Sequence, residues 1–165
     1  MSKVYTIKAV QKIPIDIDTA WAFFSNPGNL QEITPPDVDF RVTSKYLDST
    51  MYPGQVIEYK LKPLWGISFY WMTEITHVND RKFFIDEQRF GPYTLWHHQH
   101  HFAVIEGGVE MTDFVHYKVP AWFIGDILNA VVIKKQLGKI FSFRFTAVEK
   151  KFGRWPGQEE DIVIE

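Results

Sequence analysis

Trp96-His97-His98-Gln99-His100-His101-Phe102, which follows a Gly91-Pro92 turn, holds four of the six histidines of this 165-residue chain. Crowded imidazoles suggest a metal centre, but the two-residue repeat of a β-strand divides them. With side chains alternating, Trp96, His98, His100 and Phe102 share one face, continued by Val104. His97, Gln99 and His101 share the other. The first face is an aromatic wall carrying two imidazoles, and the second reads as a solvated surface. The neighbouring segments must then supply whatever the first face looks into.

Outward from this strand the signals are mostly strand. Lys3 to Ile13 alternates, with Tyr5, Ile7, Ala9 and Ile13 against Lys8 and Lys12. Val38–Tyr46, Gln55–Lys62, Ile67–Val78, Lys82–Phe90, Tyr93–Ile105 and Val109–Val119 follow. Tyr52-Pro53-Gly54, Asn79-Asp80, Gly91-Pro92 and Gly107-Gly108 separate most of them, which predicts an antiparallel meander. Between the first strand and the rest, Asp18 is placed to cap a short helix to about Ser25. Asn26-Pro27 starts a second one through Ile33, stopped by Thr34-Pro35-Pro36.

After Pro120 the period changes. Asp126 begins a long amphipathic helix in which Ile127, Val131, Leu137, Ile140, Phe141 and Val148 recur at helical spacings, ending in Lys150 and Lys151 as suits the helix dipole. The pattern is α+β: a curved seven-stranded antiparallel sheet wrapped around a long C-terminal helix, with two short helices after the first strand. One domain spans residues 1–152, and residues 153–165 read as a loosely packed tail. A curved sheet and one straight helix rarely fill the space between them, so a cavity is expected.

Composition narrows the function classes. The chain has no cysteine, which excludes disulfides and thiolate chemistry. Eighteen basic and 20 acidic residues leave a charge of −2, too balanced for a polyanion footprint, so no nucleic-acid partner is expected. No apolar run approaches a spanning length, and the N-terminus has a strand pattern where a secretory signal needs an apolar core. A cytoplasmic protein without stable membrane insertion is the expectation, with a weak homodimer left open. Fourteen Phe, seven Tyr and six Trp exceed what a core alone asks for and suit the walls of an apolar pocket.

Asp86-Glu87-Gln88-Arg89-Phe90-Gly91-Pro92-Tyr93, followed by Trp96-x-His98-x-His100-x-Phe102, resembles the DxQxxGPFxxWxHxHxF signature of a bacterial group of ligand-binding proteins. That group belongs to the START-like, or SRPBCC, superfamily, which includes the birch pollen allergen and the bacterial polyketide cyclases. Met111-Thr112-Asp113 and Ile140-Phe141-x-Phe143-Arg144 match the pattern too. The resemblance runs from about Val4 to Lys151 and implies the helix-grip fold with a deep apolar cavity between sheet and helix. It implies no single chemistry, because relatives include lipid carriers, hormone receptors and aromatase/cyclases.

Strand registers set the candidate residues. A two-residue loop at Gly107-Gly108 puts Glu106 opposite Val109, Phe102 opposite Asp113 and His100 opposite Val115. Asp113 and His100 are then diagonal neighbours, and an aspartate among Val109, Met111, Val115 and Tyr117 needs a partner. The same counting across Gly91-Pro92 puts Glu87 opposite Trp96, so Glu87 and Arg89 face inward unless a one-residue bulge reverses them. The expected ligand-binding residues are Trp71, Glu87, Arg89, Trp96, His98, His100, Phe102, Met111, Asp113, Tyr117, Phe141 and Arg144.

The leading expectation is binding or carriage of a small hydrophobic molecule. The first alternative is a cyclase- or dehydrase-like enzyme, with His98, His100, Asp113 and Glu87 as candidates for general acid/base work. A second is an interaction module using the apolar 120–125 segment, which otherwise serves as a portal flap or core packing. No metal and no cofactor is expected: His98-x-His100 alone is weak evidence, because a third ligand must come from another strand and a metal-bound histidine normally needs a second-shell partner.

Overall fold

The computed structural model describes residues 3–47, 49–64, 66–120 and 126–165. Its elements in order are β1 (Tyr5–Ile13), α1 (Ile17–Phe24), 3₁₀ turns at Pro27–Ile33 and Pro36–Val38, β2 (Arg41–Val42), β3 (Val56–Leu64), β4 (Ile67–Asn79), β5 (Phe83–Phe90), β6 (Leu95–Ile105), β7 (Gly108–Lys118), α2 (Asp126–Phe152) and β8 (Asp161–Ile164). The strands form one antiparallel sheet in the order β2-β3-β4-β5-β6-β7-β1-β8. The expected meander and long helix are present, and the sheet curves around α2 in a helix grip.

Three local expectations need correction. Asp16, not Asp18, caps α1: its carboxylate accepts from the Thr19 backbone N–H at 2.8 Å and the Thr19 hydroxyl at 2.7 Å. Asp18 sits in the first helical turn and pairs with Arg81. The strand expected over Val38–Tyr46 shrinks to two residues. Pro36 starts a 3₁₀ turn that ends at Asp39 in the left-handed region, with φ of 45°, and only Arg41 and Val42 reach register with β3. By contrast, Asn26 caps the next turn as expected, accepting from Gly28 N–H at 2.9 Å.

The third correction concerns the tail. Asp161–Ile164 adds an eighth strand by pairing with Ile7–Val10 of β1. The Gln158 carboxamide extends the coverage like a surrogate strand, accepting from Lys12 N–H at 2.6 Å and donating to Lys12 O at 3.1 Å. Trp155 lies on the β6–β7 turn, where Gly107 takes φ of +84°. A side chain at Gly108 would run into Ile13 O and the Trp155 ring, so this glycine serves close packing.

Helix α2 buries Ile133, Leu137, Phe141, Phe145 and Val148, a stripe stepping by four and finally three. Val131 is two residues from the start of that stripe, hence about 200° round the helix, and it is 61 % exposed. Phe102 and Met111 pack with α1 residues, Trp21 meeting Phe102 edge-on at 5.6 Å, whereas Tyr117 packs with Ile7, Trp96 and the Leu137–Phe141 stretch. A cavity opens between these two packed regions. Of the expected 120–125 feature, residues 121–125 lie outside the described residues. No helix among the described residues is long and apolar enough to cross a membrane.

Candidate active site

The two hairpins around β6 decide which polar groups meet. Across β6–β7 the pairs are His98 with Val115, His100 with Asp113 and Phe102 with Met111. The loop is one position earlier on each strand than Gly107-Gly108 counting gives, a slip of two residues in register that preserves the faces. Asp113 therefore stays on the imidazole face and stands directly across from His100. Across β5–β6, Glu87 pairs with His97, Asp86 with His98 and Phe84 with His100. Here the slip is one residue, and it exchanges the faces of β5.

Glu87 and Arg89 are consequently outside, contrary to expectation. Glu87 Oε1 lies 3.0 Å from His97 Nδ1, while Arg89 donates to Glu74 at 2.6 Å and Glu87 at 3.1 Å. Asp86 and Phe84 take the inward positions. The cause is the connection after β5, where the Gln88 carboxamide braces a wide turn. Its Nε2 donates to Tyr93 O at 2.6 Å and its Oε1 accepts from Tyr93 N–H at 3.3 Å. A Cβ at Gly91 would collide with that carboxamide. The brace leaves Tyr93 packed between Trp71, edge-on at 5.6 Å, and Trp96, tilted at 5.0 Å.

Asp86, His98, His100, Asp113 and Arg144 form one buried cluster from β5, β6, β7 and α2. His98 Nε2 bonds Asp113 Oδ1 at 2.9 Å, and His100 Nε2 bonds Asp86 Oδ2 at 2.9 Å. His100 Nδ1 also approaches Asp113 Oδ1 to 2.7 Å, but His98 Nδ1 stays 3.6 Å from Asp86 Oδ2. Arg144 Nη1 donates to Asp113 Oδ2 at 3.3 Å, and its guanidinium lies 5.2 Å from the Phe141 ring centre. The imidazole centres are 3.7 Å apart, and Phe84 stacks on His100 at 4.1 Å.

These distances place the protons. His100 has a carboxylate oxygen 2.9 Å from Nε2 and 2.7 Å from Nδ1, surroundings that favour hydrogen on both nitrogens and hence the imidazolium form. His98 needs hydrogen only on Nε2. Burial opposes charge on His100, but the Asp113 charge and the bonds to Asp113 and Asp86 outweigh it and raise its pKa. Burial and the neighbouring His100 cation lower that of His98. Burial would raise both carboxyls; cationic and hydrogen-bonding partners, led by His100 at Asp86 and Arg144 at Asp113, prevail and lower them, Asp113 strongly. Two carboxylates, His100 and Arg144 then sum to zero charge.

The cluster opens onto a partly open cavity of about 160 Å³ bordered by Trp71, Phe84, Asp86, Tyr93, Trp96, His98, His100, Phe141 and Arg144, with Phe23, Phe24, Asn29 and Ile33 from the helical side and Tyr59 and Thr73 from the sheet. Burial, and at Tyr59 also the Asp86 charge, raises the phenol pKa values of Tyr59 and Tyr93, which remain protonated donors. Of the expected ligand-binding residues, Trp71, Trp96, His98, His100, Phe141 and Arg144 border the cavity. Asp113 stands behind the imidazoles, and Phe102, Met111 and Tyr117 belong to the packed core. The sequence reading missed Asp86, Phe84, Tyr93, Tyr59 and Thr73. Asp86 stands in the quoted motif, but nothing in the strand pattern marks its face as the inner one.

Asp86, His98 and His100 also hold donor atoms within 4.8 Å of one another, a spacing that suits convergence on one ion.

No family model matches the sequence, and no curated protein matches it. Solved structures do. A START superfamily protein from Mycobacterium smegmatis superposes with a TM-score of 0.65 at 12 % identity, covering 90 % of this chain and 97 % of that one. The major latex-like protein 151 of Panax ginseng gives the same score, identity and coverage. Protein Ms6760 of Mycobacterium smegmatis gives 0.64 at 17 % identity, covering 88 % and 89 %. At such identities the likeness is one of fold, and the chain has the helix-grip fold of the START/SRPBCC superfamily.

Proposed function

We propose that this protein is an enzyme that moves a proton on a small, largely apolar molecule held in the cavity, with His98 as the acid/base group. The observation that carries this reading is the uneven ring of imidazole–carboxylate contacts. Three of the four are 2.7–2.9 Å, and the fourth, at Nδ1 of the cavity-lining His98, is 3.6 Å. The Nδ1 lone pair is thus the proton acceptor. Asp113 fixes the tautomer that presents it, and Asp86 stands beside it in the place expected for Glu87.

Carriage without chemistry is the weaker reading. An apolar cargo gains nothing from a carboxylate, two imidazoles and a guanidinium in the wall with a second carboxylate behind them, each costly to bury. The resemblance of Asp86-x-Gln88-x-x-Gly91-Pro92 and Trp96-x-His98-x-His100-x-Phe102 to the bacterial ligand-binding group supports the cavity as the working part.

Kemp elimination of 5-nitrobenzisoxazole, run with a chelator present, tests the base directly. A base removes the C3 proton, the ring N–O bond breaks, and a coloured cyanonitrophenolate is released. Saturable elimination faster than equimolar imidazole is expected, falling by about 10²-fold or more in His98→Gln, the usual worth of a positioned base. His97→Ala, on the opposite face, retains the rate. A wild-type rate no greater than that of free imidazole overturns the reading.

A further inference from the structure

The cluster also supplies both features that a metal site needs beyond His98-x-His100. A third ligand comes from another strand: Asp86 of β5 joins His98 and His100 of β6, with one donor atom from each inside 4.8 Å. Asp86 Oδ2 lies 3.6 Å from His98 Nδ1 and 2.9 Å from His100 Nε2. Those separations bracket the edge of about 3.3 Å expected for a tetrahedron with ligands about 2.0–2.1 Å from Zn²⁺. All three residues border the cavity.

The second feature is Asp113. The remaining nitrogen of each imidazole lies beside the same oxygen: His98 Nε2 is hydrogen-bonded to Asp113 Oδ1 at 2.9 Å, and His100 Nδ1 approaches it to 2.7 Å. One carboxylate thereby holds hydrogen on the far nitrogen of His98 and sits against that of His100, with the near nitrogens on the Asp86 side. Arg144 holds its other oxygen at 3.3 Å. A carboxylate behind ligating histidines fixes their tautomers and strengthens them as donors.

We propose that Asp86, His98 and His100 bind a divalent first-row transition ion, Zn²⁺ being the reference case, and leave its cavity side to water or a substrate oxygen. With both imidazoles neutral, two carboxylates and Arg144 sum to −1, and the ion brings the site to +1, which favours a hydroxide or an oxyanion. The proposal rests on the reading that the polar end of the cavity is the reactive end. It puts a cation where His100 and Asp86 now share hydrogen, and an ion-bound water, not His98, becomes the base of the loaded protein.

Chelator-stripped protein titrated with Co²⁺, followed by visible absorption and calorimetry with Zn²⁺ as competitor, tests the site. One Co²⁺ per chain is expected, with the intense d–d band of four- or five-coordination, displaced by Zn²⁺. Asp86→Asn and His98→Ala weaken binding at least 10²-fold, and Asp113→Asn by about 10–100-fold. The double variant His97→Ala/His101→Ala binds as the wild type does. Circular dichroism establishes that each variant is folded. Should Asp86→Asn not fold, Co²⁺ broadening in the wild-type NMR spectrum decides, confined to the His98 and His100 rings if the site is real. No saturable binding, or binding lost only with the outer histidines, overturns the proposal. Co²⁺ binding without Kemp elimination in chelator removes the base and keeps the metal site; the converse removes the metal site and keeps the base.

Discussion

Asp113, 2 % exposed, meets two imidazoles and a guanidinium, and this sharing leaves one mobile proton for two histidines. The pH dependence of stability follows, for chelator-treated protein in urea denaturation. Above the ordinary histidine value of 6.5, the unfolded chain has released a proton that folded His100 keeps, so stability is lost as pH rises through the raised value of His100. Below 6.5 the unfolded chain binds a proton that folded His98 refuses, so stability is also lost as pH falls towards the lowered value of His98. Asp86 and Asp113 add to the acid loss below their ordinary 3.8, where unfolded carboxyls protonate before folded ones. Stability should therefore peak near 6.5, and His98→Gln should flatten the limb between 4 and 6.5; a monotonic profile would contradict the assignment of the shared proton. The inward pair His98 and His100 and the buried Asp113 were legible because a two-residue alternation and an aspartate among apolar neighbours each have one economical explanation. Asp86 was not, since Phe83 and Phe84 give β5 an aromatic on either face and its alternation points both ways.

At the level of the element, the Gln88 brace decides what β5 offers the cavity. Its two bonds to Tyr93 and its collision with any Cβ at Gly91 make the pair one unit. Gly91→Ala and Gln88→Ala should each cost about 1–3 kcal/mol in urea denaturation, and the double variant should cost little more than either alone, because neighbours sharing one interaction are not additive. Fully additive losses would show that the brace is not what sets the turn. The same turn explains where sequence reading stopped. Helix and strand periodicities located α2 and β3 to β7, but a loop one residue wider than its Gly-Pro signal suggests inverts every side chain on a strand. At β6–β7 the error was two residues and harmless.

For the whole molecule, the cavity of about 160 Å³ is below the usual range for ligand pockets and close to cavities of about 150 Å³ that hold benzene. Single-ring and small fused-ring compounds are expected to bind in calorimetry, whereas steroids and long acyl chains should not; tight binding of a long-chain fatty acid would contradict the walls described above. Size of this kind was beyond the sequence, which announced a cavity through its aromatic content but not how far the 3₁₀ turn at Pro27–Ile33 fills it. The pairing of β8 and Gln158 along β1 has a consequence of another sort. Backbone bonds between Thr6 and Glu165, the β8 ladder and the carboxamide at Lys12 occupy the outer rim of a nine-residue strand. On the β1 side the sheet therefore ends in a four-residue strand, leaving little unpaired backbone there as a template on which another chain could aggregate.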